Sequence, residues 1–201
     1  MYFFLAAYSI LGAGIKYIDD AFDRKIFNKS IALIITPFLS ILGAYAMVVD
    51  PVSATILLAV LAGVFIKGKV DNIAFILGFA LVIAIVALAG IQFLVIPLIL
   101  LGAAAVLDEV GNDFIDKKRE TMNQKKIVNK LALYFFGHRW IMKMAILYLV
   151  IINIVPVYFF IAMVLFDYMY VSMDHYAKLR QGIINTTLTQ RAIARVGCIF
   201  K

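Results

Sequence analysis

Apolar residues in this chain fall in long blocks separated by short charged clusters. Met1 to about Ile18 carries one charge, Lys16. At ~1.5 Å per residue that block just reaches across a ~30 Å hydrocarbon core. A polar loop from Asp19 to Lys29 follows. Ser30 is the expected N-cap of a second helix to about Val49, kinked at Pro37. Asp50-Pro51 reads as a tight turn with proline opening the next helix, which runs to Ile66. After the basic turn Lys67 to Asn72, a fourth helix is expected from Ile73 to Ala89. Gly90 marks a break, because one unbroken helix from 73 to 107 would be ~52 Å long, too long for a bilayer core. A fifth helix is expected from about Phe93 to Leu107. A polar stretch then runs to Lys130. Beyond it Trp140 to Tyr170 is apolar around Pro156, as one kinked helix or two short ones turning near Asn153. The expected organisation is a transmembrane bundle over residues 1–170, interrupted by a cytoplasmic loop at 108–130, with a basic tail over 171–201.

Composition gives the same class. The 201 residues are 65% hydrophobic and 15% charged, with a mean hydropathy of +1.00. Soluble domains carry about 25% charged residues. The expected fold is therefore an all-α polytopic transmembrane bundle of six or seven helices. The net charge of +7 suits cytoplasmic loops facing anionic lipid rather than nucleic acid. Lys and Arg follow helices one, three and five and are absent after two and four, which places the N-terminus outside and the acidic loops inside. A basic cytoplasmic tail then favours seven helices over six. The single cysteine, Cys198, excludes a disulfide framework and a cysteine-based zinc site. The first block lacks the basic start and small-residue exit of a cleavable signal, so it is expected to be a retained helix.

Two acidic clusters stand out. Asp108 to Glu120 holds five carboxylates in thirteen residues. If the preceding helix continues, Glu109, Asp113, Asp116 and Glu120 share one stripe, where like charges repel unless cations neutralise them. A shorter relative, Asp19-Asp20-Ala21-Phe22-Asp23-Arg24-Lys25, shares the pattern [Asp/Asn]-Asp-x-x-Asp-basic-Lys with Asn112 to Lys118. An even number of crossings separates them, so both are expected at the cytoplasmic face, a weak internal repeat. Carboxylates and Asn one turn apart suit Mg²⁺. The expected metal ligands are Asp19, Asp23, Asn112, Asp113 and Asp116. Lys25, Lys117 and Arg119 are the expected phosphate contacts, with an apolar interior beneath for a lipid tail. The plainer reading is that mixed charges at helix ends are interfacial anchors.

Asn112-Asp113-x-x-Asp116-x-x-x-Glu120 resembles the Asn-Asp-x-x-Asp-x-x-x-Asp motif of the UbiA-type intramembrane prenyltransferases, and Asp19-x-x-x-Asp23 resembles their second box. Here the two boxes occur in reversed order, and Glu120 stands for an aspartate. The resemblance implies an all-helical bundle that binds Mg²⁺ and a prenyl diphosphate on its cytoplasmic side. The function expected is Mg²⁺-dependent prenyl transfer from an isoprenyl diphosphate or related lipid. A divalent-cation transporter and a non-catalytic assembly subunit are the alternatives.

Lesser candidates remain. Lys143, with His138 and Arg139, suits an interface marker beside Trp140. Asp167 lies inside the last apolar block, where an ionisable group is functional by default. Asp174 is expected to pair with a lysine such as Lys178.

Overall fold

A computed structural model of the chain describes residues 1–66, 68, 72–118 and 140–199, with side chains among these except 112, 113, 115–118 and 183–199. The described residues form seven helices and no strand: α1 (Tyr2–Phe22), α2 (Lys29–Val49), α3 (Pro51–Ile66), α4 (Ile73–Ala89), α5 (Val95–Lys118), α6 (Trp140–Ile151) and α7 (Val157–Ile199).

Local chemistry sets most of the boundaries. Asn28, not Ser30, caps α2: its side-chain oxygen accepts the Ser30 N–H at 2.8 Å, so the expected cap is instead the residue capped. Asp50 accepts the N–H groups of Val52 and Ser53 at 2.8 and 3.1 Å. Pro51 then opens α3, where a missing N–H costs no intrahelical bond. Asn72 caps α4 through the Phe75 N–H at 3.0 Å. Gly90 ends α4 at φ 68°, a left-handed conformation that glycine adopts without Cβ strain. Of the two arrangements open for the last apolar block, the break near Asn153 is observed, with Asn153 itself at φ 59°.

Three helices outrun their expected ends. α1 continues through Asp19 and Asp20 because Lys16, one turn earlier, pairs with both. α5 continues through Lys118, so residues 108–118 are helix rather than loop. α7 passes 170 without interruption, so residues 171–199 extend the last helix rather than starting a separate tail.

Packing directions follow from a few contacts. The Phe4 and Phe159 rings meet at 5.0 Å and Lys16 meets Asp174 at 3.4 Å, so α1 and α7 run parallel. Gly12 lets them approach, since a Cβ there would collide with the Phe166 carbonyl. α2 returns antiparallel to α1, with Gly14 against Leu39 and Gly43 beside Leu11. α3 and α5 run parallel: Thr55 Oγ1 accepts the Leu94 N–H at 2.9 Å, and Gly63 faces Ala105. The C-terminal ends of α1 and α5 therefore lie at the same end of the bundle.

α2 and the Val157–Gly182 part of α7 are long and apolar enough to cross a bilayer; α3, α4 and α6 are apolar but shorter. α4 is apolar at all 17 positions, yet only Ala74 and Val82 are buried. Among the described residues it packs appreciably against α2 alone.

Candidate functional site

A cavity of about 450 Å³ lies among α1, α2, α3, α4 and α7, within the size range of small-molecule sites. Its sides are aliphatic and aromatic. Thr36 and Ser40 line it, but their hydroxyls turn back to the backbone: Thr36 donates to the Ala32 carbonyl at 2.8 Å and Ser40 to that of Thr36 at 2.9 Å. Hydroxyls engaged this way add little polarity to the interior. The helix directions place Asp19, Asp23 and Tyr170 at one end of the cavity and Leu11, Gly43, Met47 and Leu57 at the other. It is an apolar chamber with two carboxylates at its lip.

Behind the lip sits a compact ion network. Lys16, buried to 6% exposure, places its ammonium 2.8 Å from Asp19, 3.1 Å from Asp20 and 3.4 Å from Asp174, and 5.4 Å from the centre of the Tyr170 ring. Arg24 approaches Asp20 at 3.4 Å and donates to Asp174 at 2.9 Å. Lys178 closes on Asp174 at 2.6 Å, the pairing expected from sequence. Three cations thus face three carboxylates across the α1–α7 seam. Asp20 is 1% exposed. Burial pushes its carboxyl above the ordinary range, against the downward pull of Lys16 and Arg24.

The second acidic cluster has a different environment. Asp108 accepts the N–H groups of Ile141 and Met142 at 3.0 and 2.7 Å. It caps α6 from another helix and places a carboxylate at the positive end of that helix dipole. Glu109 is buried beside a space of about 30 Å³ bordered by Gly63, Ala105, Met142 and Met163. That volume is on the scale of one or two waters. Val60, Val64 and Phe166 line both this space and the larger cavity, and so form the wall between them. Lys143 is not an interface marker: it is buried and pairs with Asp167 at 2.7 Å. An isolated charge on each side of Pro156 in the last apolar block was the signal for that pair, since such groups seek each other in a low dielectric.

Of the site residues expected from sequence, Asp19 and Asp23 line the cavity together. Lys25 is exposed on the turn after α1 at φ 54°, off the cavity wall. Asn112, Asp113, Asp116 and Lys117 lie on the last turns of α5, with side chains outside the described residues, as is all of Arg119. Among the described residues, α1 and α5 do not pack appreciably against each other, no described α5 side chain lines the cavity, and no three acidic, His or Cys residues gather as metal ligands. Asp19 and Asp23 are one turn apart, and Asp19 already pairs with Lys16 at 2.8 Å; Mg²⁺ typically takes one or two carboxylates and completes its shell from water and substrate phosphate. Sequence reasoning missed Lys16 and Asp20 as the centre of the α1–α7 seam. The signal was their spacing, i and i+4 at the end of an apolar block.

The chain matches no protein-family model, no curated protein and no solved structure.

Proposed function

We propose that this is an integral membrane protein that takes the hydrocarbon chain of a lipid substrate into the cavity, with the polar head at Asp19 and Asp23. The reaction it would serve is Mg²⁺-dependent prenyl transfer from an isoprenyl diphosphate, as the resemblance to UbiA-type prenyltransferases implies. The observation that carries this reading is the pair of carboxylates at the lip of an otherwise apolar chamber of about 450 Å³. Membrane placement is supported by α4: in water, a helix apolar at every position with two buried residues would expose a far larger apolar patch than soluble proteins tolerate. The basic residues after helices one, three and five favour a cytoplasmic lip and an external N-terminus.

In this reading Asp19 and Asp23 orient the head group, and bound Mg²⁺ would offset diphosphate charge as the bond to carbon breaks. Lys16 and Arg24 balance Asp20 and Asp174, so a diphosphate arriving at the lip meets less negative potential. Lys25 lies two residues beyond Asp23, exposed on the solvent side of the lip. The aliphatic walls hold the reacting carbon away from bulk water. Asn112, Asp113, Asp116, Lys117 and Arg119 enter the proposal through their motif and through the position of the α5 end. The transporter alternative is disfavoured because Asp167, the acid deepest in an apolar block, is paired with Lys143.

The test is thermal unfolding of the detergent-purified protein with farnesyl diphosphate, with and without Mg²⁺. The metal is expected to raise the ligand-induced shift in melting temperature, and Asp19→Asn with Asp23→Asn is expected to remove that increment. An increment unchanged in the double variant would overturn the assignment.

A further inference from the structure

The cavity runs from the carboxylates at one end to Leu11, Gly43, Met47 and Leu57 at the other. Its α1 lining extends from Leu11 to Asp23, which at 1.5 Å per residue is roughly 18 Å. That length accommodates an extended hydrocarbon chain of about farnesyl size.

Gly43 lines the end away from the carboxylates. It is inside α2, where glycine is a weaker helix former than alanine, and close packing does not require it. A Cβ there would meet only Leu11 Cδ2 and Cδ1, at 3.6 and 3.9 Å, which is ordinary van der Waals contact. Gly12 and Gly14 differ: a Cβ at either would collide with Phe166 backbone or with Leu39. What the absent side chain at 43 preserves is open space, and Leu11 and Met47 share that space.

We propose that Gly43, with Met47, sets the length of chain the cavity accepts, and that the ligand is a single-chain amphiphile of about farnesyl length. This rests on the lipid-chain reading of the cavity and does not depend on diphosphate chemistry. Any side chain added at 43 shortens the bore; trimming Met47 deepens it.

The test measures binding of geranyl, farnesyl and geranylgeranyl alcohols and of the matching diphosphates to the detergent-purified full chain. Wild type, Gly43→Leu, Gly43→Ala and Met47→Ala are compared. Gly43→Leu is expected to weaken farnesyl and geranylgeranyl probes by at least about tenfold, the scale set by a misfitted methylene or two, with geranyl probes little changed. Gly43→Ala gives a smaller shift in the same direction and carries the test should the leucine variant fail to fold. Met47→Ala moves the preference toward geranylgeranyl. Equal losses at every length, or an unchanged order of lengths in all variants, overturn the proposal. If the alcohols follow the expected order while the diphosphates gain nothing from Mg²⁺, the length gauge stands and the prenyl-transfer reading falls. If no probe binds wild type, both fall.

Discussion

The two acidic clusters share a short pattern and a place at one end of the bundle, yet they face different surroundings. The α1 cluster faces side chains of opposite charge: Lys16 and Arg24 gather Asp19, Asp20 and Asp174 into a balanced network beside the cavity. At the start of the α5 cluster, Asp108 accepts from the backbone of α6, and Glu109 is buried beside a space of about 30 Å³. The role of a carboxylate here depends on what packs opposite it. That partner can be far away in sequence, 150 residues in the case of Arg24 and Asp174.

Removing the central cation of the first region should have the largest effect. Lys16→Met leaves Asp20 buried with Arg24 as its remaining cation among the described residues, and is expected to cost about 3–5 kcal/mol in reversible unfolding. Adding Asp20→Asn should recover part of that loss, because the two side chains are coupled; a purely additive double variant would contradict the network. Asp108→Ala is expected to cost about 1–3 kcal/mol by leaving two N–H groups of α6 without their acceptor. It should also change the emission of Trp140, the only tryptophan and the first residue of α6, which Lys16→Met should leave unchanged in the folded state. The smallest effect is expected at the rim. Lys178, with its side chain 60% exposed, should cost less than about 1 kcal/mol on replacement by alanine, and that loss should shrink as salt is added.

Helix positions were legible because their signals are local. Asp50-Pro51, Gly90 and the Asn153–Pro156 break each act through the backbone of their own few residues. Asp19 and Asp23 were likewise readable as a pair, being one turn apart on α1. Pairing between helices was not readable. Nothing in the sequence near Asp20 announces Asp174, and nothing near Lys143 names Asp167 except that each is an isolated charge. The cavity was hidden for the same reason: its lining comes from five helices, and Gly43 at its far end resembles in sequence any other helical glycine.

The isolation of α4 has a mechanical consequence. Among the described residues, every other helix of the chamber packs appreciably against at least two neighbours, whereas α4 does so against α2. It is fastened there by the Ser40 contact to the Gly78 carbonyl at 3.2 Å, and to α3 by the stacked rings of Phe65 and Phe79, 5.2 Å apart. Local opening begins where the fewest contacts must be surrendered. The weakest panel of the chamber therefore faces sideways, held, among the described residues, by its packing on α2 with one shared hydroxyl and one pair of rings.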